Sequence, residues 1–392
     1  MESYDATPRH VLFLNWRDTR NPHGGGSEVY VERIAAELVA RGHAATLFCA
    51  AHPAGPAEET NPAGVRIIRR GGRHTVYMRA ALTYLAGWFG LGRLRRGVAG
   101  RGRPDLIVDV CNGLPFLSPL WSRRPVIMLV HHVHREQWPV VLPPWAARLG
   151  WWIESSLAVH VYRRCRYVTV SAATRRELAT LGVDPERVTV VHNGTPESVT
   201  AAGPESVEPT LVVLGRLVPH KQVEVALRVL ARLAPQWPTL SVVIAGQGWW
   251  EPRLREYAAE LEVGDRVLFT GFVSDAERDA LLSSAWVALT PSLKEGWGLT
   301  IVEAGGRGTP TVAFRSAGGV AEAIVHGRTG LLADGEEEFT AYTRALLADD
   351  ARRTAMGAAA RAYAESFTWS AAGEKFDALV RQTAGVGTPV AV

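Results

Sequence analysis

Leu211-Val212-Val213-Leu214-Gly215-Arg216-Leu217-Val218-Pro219-His220-Lys221-Gln222-Val223 reads as a buried strand, a tight corner and the first residue of a helix. An apolar run ends in a glycine, and helical spacing resumes at Val223 and continues to Ala234, so strand hands over to helix within one short loop. Just upstream, Thr195 to Pro209 holds Pro196, Gly203, Pro204 and Pro209 among small polar residues, the composition of a linker. The alternation therefore restarts here after an interruption.

Before the linker the same rhythm runs from Val11 to Gly194. Strand-length apolar runs at Val11–Trp16, Ala45–Ala50, Leu106–Cys111, Val126–His131, Tyr167–Ser171 and Val188–His192 alternate with helical patterns at Ser27–Arg41, Pro144–Arg164 and Ala172–Leu181. After it come Ser241–Ala245, Val267–Gly271, Val287–Thr290 and Thr311–Phe314, with helices such as Asp275–Ala285 between them. Alternating strand and helix predicts parallel βαβ units. The expected fold class is α/β: two doubly wound, Rossmann-like parallel-sheet domains facing a cleft. The expected boundaries are 1–195 for the first domain, 196–209 for the linker, 210–368 for the second domain, and 369–392 for a returning helix and tail. Late helical patterns at Glu336–Ala348, Ala351–Glu365 and Ser370–Gln382 close the chain.

Length agrees with two domains, because 392 residues exceed the size at which one core keeps growing. No apolar run reaches the roughly 18 residues that span a bilayer, and Met1 to His10 lacks the apolar core of a secretory signal, so the expected compartment is cytoplasmic. Cys49, Cys111 and Cys165 are odd in number and lie in or beside apolar segments, which suits reduced core thiols. A net charge of +4 argues against a nucleic-acid protein. One stretch differs: Tyr84, Leu85, Trp88, Phe89 and Leu91 run into Arg93, Arg95, Arg96, Arg101 and Arg103. An ordinary helix with a solvated basic end is the stronger reading, and peripheral contact with the inner membrane face is the other.

Four constellations carry chemistry. Gly24-Gly25-Gly26 joins the first strand to its helix, where bare amides can receive a phosphate. It is not the dinucleotide fingerprint, since Val29 stands where the third glycine belongs. Arg216 and Lys221 after Gly215 can converge on one diphosphate, as a fork and a point charge. Glu295 and Glu303, eight residues apart around Gly296-Trp297-Gly298, can face one ligand, while the amides near Leu299 and Thr300 at a helix start can meet phosphate oxygens. His131-His132-Val133-His134 ends an apolar strand; substrate positioning is favoured over a metal site because no acidic pair stands beside it.

In order, these motifs resemble the retaining glycosyltransferases of family 4, of GT-B fold. The resemblance runs from Gly25-Gly26 through Val170-Ser171-Ala172-Ala173-Thr174, His192-Asn193-Gly194 and Gly215-Arg216-Leu217 to Glu295/Glu303, Gly308-Thr309-Pro310 and Gly327-Arg328-Thr329-Gly330. It implies catalytic roles for Arg216, Lys221, Glu295 and His131. Donor contacts are implied at Gly25, Gly26, Gly215, Phe272, Val273, Gly296, Trp297, Gly298, Leu299, Thr300 and Glu303. Glu303 would take ribose, Glu295 the donor sugar, and Phe272 and Val273 the base. It further implies a nucleotide diphosphate sugar as co-substrate, most often of UDP and bound by the second domain, no metal or other cofactor, and a small-molecule, glycan or lipid acceptor bound by the first domain. Trp297 for a usual phenylalanine, His132 for a frequent aspartate, and Gly305-Gly306-Arg307 for a more helix-favouring run depart from the family pattern. The alternatives are a nucleotide-sugar epimerase of the same fold and a non-catalytic nucleotide-sugar binding module. The aromatic stretch Trp138 to Trp152 lines an apolar site or packs a core; the sequence leaves both open.

Overall fold

The structure is a computed structural model that describes residues 7–22, 24–92, 94, 103–195 and 203–385. Arg93, Arg95, Arg96 and Arg101 of the basic stretch, Pro196 of the linker, the first six residues and the tail beyond Gly385 lie outside the described residues. Contacts divide the chain into one unit of Met1–Gly194 with Trp369–Val392 and a second of Thr195–Thr368.

The first unit carries β1 (His10–Leu14), α1 (Gly26–Ala40), β2 (Ala44–Cys49), β3 (Glu58–Thr60), β4 (Arg66–Arg69), α2 (Val76–Trp88), β5 (Leu106–Cys111) and β6 (Val126–Val130). There follow α3 (Trp138–Val141), α4 (Pro144–Trp152), α5 (Val159–Val161), β7 (Arg166–Thr169), α6 (Ala172–Thr180) and β8 (Val188–Val190). The sheet order is β3-β4-β2-β1-β5-β6-β7-β8. Every residue of β1, β2, β5 and β6 is buried, which is why these strands read as near-continuous apolar runs without alternation, interrupted at His10, Thr46 and Asp109.

Several expectations are corrected. The sheet is not wholly parallel, since β3 pairs antiparallel with β4 at its edge. That pair escaped sequence reading because Glu58-Glu59-Thr60 is polar and partly exposed and Arg66-Ile67-Ile68-Arg69 is short. Strands expected to reach Trp16, Ser171 and His192 stop at Leu14, Thr169 and Val190, so their last residues belong to the loops. Helix α1 starts at Gly26 rather than Ser27, with the Glu28 carboxylate accepting from the Gly25 amide at 2.7 Å. Pro144–Arg164 is not one α-helix: a π turn at Ile153–Ala158 separates α4 from α5.

A buried ion cluster fixes the loop after β1. Arg69 is 1% exposed and donates through Nε to Asp18 at 2.6 Å, through Nη2 to Glu59 at 2.6 Å and through Nη1 to the Pro56 carbonyl at 2.9 Å. Asp18 is fully buried and also meets His52 Nε2 at 2.7 Å. The helix Trp369–Gly385 completes this unit: Phe376 stacks on Phe13 at 6.2 Å, Trp369 meets Tyr30 edge-on, and Asp377 pairs with His43 at 2.6 Å.

The second unit runs β9 (Thr210–Leu214), α7 (Val223–Leu233), β10 (Ser241–Ala245), α8 (Glu251–Glu260), β11 (Val267–Gly271), α9 (Asp275–Ser284), β12 (Val287–Thr290) and α10 (Leu299–Gly306). It continues with β13 (Thr311–Phe314), α11 (Val320–Ala323), β14 (Gly330–Ala333), α12 (Glu336–Ala348) and α13 (Asp350–Ala364), before the helix already described, α14. Its six parallel strands lie in the order β11-β10-β9-β12-β13-β14. The strand order reverses between β9 and β12 here and between β1 and β5 in the first unit. In open α/β sheets such reversals are where strand-end loops part and ligands enter.

Removing the buried guanidinium would leave Asp18 charged and without its main partner. Arg69→Met is expected to lower unfolding stability by about 3 to 5 kcal/mol, the cost of an orphaned buried charge, measured by urea denaturation; a loss under about 1 kcal/mol would contradict the ion-cluster account.

Candidate active site

In the second unit, the loops after β9 and β12 meet at the strand-order reversal. The Leu293 amide donates to the His220 carbonyl at 2.9 Å, joining the corner that carries Lys221 to the loop that carries Glu295. Lys221 ends a single 3-10 turn, Pro219–Lys221, before Gln222 turns the chain into α7. Its Nζ lies 2.5 Å from Glu295 Oε1, and Ser292 Oγ donates to the same oxygen at 2.7 Å. Burial raises the Glu295 carboxyl, but the charge and hydrogen bond of Lys221, with help from Ser292, hold it below the ordinary carboxylate range. Two residues 74 apart in sequence thus form one ion pair. Arg216, in the loop that follows β9, is partly exposed and has no ion-pair partner among the described residues. One cation is therefore held by a carboxylate and the other is open to an anion.

These loops are locked by close backbone approach. A Cβ on Gly319 would stand 2.1 Å from the Gly296 carbonyl, and one on Gly246 would stand 1.9 Å from the Gly215 carbonyl. The Glu295 amide donates to Ala317 at 2.9 Å and the Gly319 amide returns to the Glu295 carbonyl at 3.0 Å. Leu217 donates to Gln247 at 2.9 Å on the other side. Four strand-end loops are stitched into one rim, and Gly298 caps the start of α10, whose first amides at Leu299 and Thr300 have no carbonyl of their own helix to meet.

Glu303 sits one turn into α10 and is pushed up to about 7, first by burial and then by Asp275 and Asp279, against the pull of Arg278 and Arg307. Arg278 Nη1 lies 3.4 Å from its Oε1. It borders a cavity of about 180 Å³ lined by Arg278, Arg307, Glu365 and Thr368. Phe272, directly after β11, is 77% exposed, and Val273 beside it is partly buried. Trp297 is 3% exposed, and its ring packs edge-on against Phe367 at 5.0 Å.

The first unit holds the remaining expected residues. His131, just past β6, is 6% exposed and lies edge-on to Tyr30 at 5.3 Å; burial, then the charge of His134, pushes its imidazole down to about 3, so it stays neutral. Its carbonyl accepts from Thr174 Oγ1 at 3.2 Å, which ties it to the start of α6. Gly25 caps α1 and Gly26 opens it, and the Gly25 amide is engaged by Glu28. Among the described residues no group of three or more potential ligands is placed to hold a metal ion.

Sequence reading missed three supports. Ser292 and the Gly318-Gly319 corner hold Glu295, and the glycine pair after an apolar strand was the signal that could have shown it. Arg278 beside Glu303 has no motif, since it is one arginine in a charged helix. Glu154 was likewise unmarked; it accepts from His134 Nδ1 at 2.8 Å and from Trp138 Nε1 at 2.8 Å, and so fixes the segment after His131.

Residues 25–194 match the family described as "Glycosyl transferase 4-like domain", and residues 197–363 match "Glycosyl transferases group 1". The chain is 28% identical over 374 residues to a GDP-mannose-dependent alpha-(1-6)-phosphatidylinositol monomannoside mannosyltransferase of Mycolicibacterium smegmatis, covering 92% of this chain and 95% of that protein. It is 36% identical over 209 residues to a D-inositol 3-phosphate glycosyltransferase of Streptomyces scabiei, covering 47% of this chain and 46% of that one. In fold it is similar to sucrose-phosphate synthase of Thermosynechococcus elongatus, with a TM-score of 0.77 at 19% identity over 95% of this chain and 98% of the other. It is also similar to Anabaena HepE in complex with UDP-glucose, at 0.71 and 19% over 95% and 100%.

Glu303 makes stability depend on pH. Its folded-state pKa lies above the ordinary 4.5, so the folded chain holds a proton that the unfolded chain has released, and stability falls as pH rises from about 4.5 to about 7. Glu303→Gln should flatten that fall in a series of melting temperatures; an unchanged slope would refute the buried-carboxyl assignment.

Proposed function

The chain belongs to the glycosyltransferases of family 4, with the GT-B fold, and from that premise we propose that it transfers mannose from GDP-mannose to a hydroxyl of an inositol-phosphate-bearing acceptor, with retention at the anomeric carbon. The observation that carries the catalytic part is the meeting of Lys221 and Glu295 at 2.5 Å beside the open cation Arg216. The donor and acceptor classes rest on the relatives: the mannosyltransferase that matches almost end to end uses GDP-mannose by name, and both it and the glycosyltransferase from Streptomyces are named for inositol phosphates. On that ground GDP is preferred here to UDP, the donor nucleotide that the family resemblance alone implies.

In this reading the anomeric carbon loses its bond to the diphosphate oxygen and gains one to the acceptor oxygen on the same face. The acceptor proton passes to the departing phosphate, so no side chain serves as nucleophile. What the protein must supply is charge for the leaving diphosphate. Arg216 offers a guanidinium fork, Lys221 an ammonium with three donors of which Glu295 engages one, and the amides of Leu299 and Thr300 add dipoles. The low-lying pKa of Glu295 keeps it a carboxylate, which positions Lys221 before the donor arrives and leaves its other oxygen for sugar hydroxyls. Glu303 contributes a carboxyl that accepts ribose hydroxyls best when ionised, and Phe272 an exposed ring for the base.

Arg216→Ala and Lys221→Ala are each expected to reduce kcat/KM by about 100-fold to 1,000-fold, the loss typical of one donor to developing charge. Steady-state kinetics with GDP-mannose and an inositol phosphate acceptor checks this. In a thermal-shift comparison GDP and GDP-mannose should raise the melting temperature while UDP does not. A response to UDP alone would overturn the donor assignment, and a sugar isomer formed from donor without acceptor would mark an epimerase.

A further inference from the structure

We propose that His134, held by Glu154, is a specificity-determining residue of the first unit: it accepts a hydrogen bond from a hydroxyl of a polyol, the ring of the acceptor class proposed above, on which this role rests. Glu154 is its positioning residue. On the helical segment that carries Glu154, the other buried residues are Ala147, Gly150 and Ala158, small groups suited to a core. A carboxylate among them is costly to bury unless its oxygens are engaged. Here Oε1 accepts from His134 Nδ1 at 2.8 Å, Oε2 accepts from Trp138 Nε1 at 2.8 Å, and both lie 3.2 Å from the His134 amide. Glu154 also stands in the π turn Ile153–Ala158, a widened turn of the kind found frequently at functional positions.

The consequence falls on the imidazole. With Nδ1–H donated to a carboxylate, the proton of the neutral ring is fixed there and Nε2 keeps its lone pair. That nitrogen makes no hydrogen bond among the described residues, and the side chain is 14% exposed, so one edge of the ring is open. The rings of His132 and His134 lie 4.2 Å apart, and His132 Nε2 is taken by Gln137 Oε1 at 3.2 Å. Of these two neighbouring imidazoles, His134 is thus the one with its tautomer set and its outer nitrogen unused.

The place of this pair in the fold points to a ligand. Trp138 abuts Gly113 in the loop after β5, and the adjacent Asn112 donates from Nδ2 to Asn15 Oδ1 at 3.1 Å, across the strand-order reversal between β1 and β5. Ligands enter open α/β sheets at such reversals. Strands β1, β5 and β6 are consecutive in the sheet, and just past β1 and β6 stand two more polar atoms without a hydrogen-bond partner among the described residues: Nδ2 of fully buried Asn15, and Nε2 of His131, which is 6% exposed. Buried polar atoms left unpaired call for a partner from outside the chain. Asn15 offers a donor, His134 an acceptor and His131 an uncharged ring. Such a set suits hydroxyl groups, which give and receive hydrogen bonds, better than a phosphate, which draws cations. An inositol ring presents hydroxyls of this kind.

The test titrates the full chain, saturated with GDP, with D-inositol 3-phosphate in a calorimeter. His134→Phe should lower affinity by about tenfold, the worth of one hydrogen bond. His134→Gln, whose side-chain carbonyl replaces the lone pair and does not titrate, should restore most of it. Acidification should weaken binding more in the parent chain than in His134→Gln, because protonation removes the Nε2 lone pair; the part common to both belongs to the phosphate. The other charged or titratable groups around His134 are His131, His132, Arg135 and Glu136 in its own segment and Glu154 on the π turn, and His131, pushed down to about 3, does not titrate near neutrality. Glu154→Gln can offer an N–H to Nδ1, which moves the ring proton to Nε2; affinity should fall as in His134→Phe, and nitrogen-15 spectra of the imidazole should show the changed tautomer. GDP affinity should stay as in the parent in all three variants, and the two at His134 decide the matter if Glu154→Gln does not fold. Unchanged affinity in His134→Phe, or the same pH profile in the parent and in His134→Gln, would overturn the proposal and leave the acceptor class standing. A parent chain that binds GDP but no D-inositol 3-phosphate would overturn both.

Discussion

The backbone hydrogen bond from the Leu293 amide to the His220 carbonyl is the constraint on which the candidate site depends. Parallel strands deliver their loops to one edge of the sheet, but loops left to themselves would splay, and a carboxylate and an ammonium drawn from separate loops would hold no fixed distance. The bond couples the β9 corner to the β12 loop. The missing side chains of Gly246 and Gly319 then let their backbones lie against the carbonyls of Gly215 and Gly296, where a Cβ would clash. Only within that rim can Lys221 and Glu295 form a pair that costs no reorganisation when a charged ligand enters.

Electrostatically the rim is built of opposites placed close together. Glu295 remains ionised because a cation shares its burial, and Glu303, eight residues on, is raised toward neutrality because two aspartates offset what its arginines give. Identical side chains on either side of one helix start are therefore prepared for different partners. Within the first unit, burial keeps the His131 imidazole neutral, able to donate or accept a hydrogen bond without carrying charge.

Much of this was legible in the sequence, and what was not has physical reasons. Strands such as Leu106–Cys111 and Val287–Thr290 were read to the residue because burial on both faces favours a near-continuous apolar run. Glu58–Thr60 was invisible because an edge strand needs no such run, and the π turn at Ile153–Ala158 because helical spacing survives one widened turn. In the site, glycine bracketing and charge placement marked Arg216, Lys221, Glu295 and Glu303. That the ring of Trp297 packs edge-on against Phe367 was not legible, since spacing cannot tell which way a side chain turns. Arg278 and Ser292 act through contacts made across the fold, and no local pattern encodes those.

Helix α14 has one more consequence. Trp369 and Phe376 close over Tyr30 and Phe13 in the first unit, yet residues 195–368 stand between them in the chain. Thr195 and Phe367 are joined by a backbone hydrogen bond at 2.8 Å, so the inserted unit begins and ends at one point. On the ribosome the second half can therefore reach its native packing while the first is still waiting for its lid. The order of completion is the reverse of the order of synthesis, and the part of the molecule made earliest is the last to be sealed.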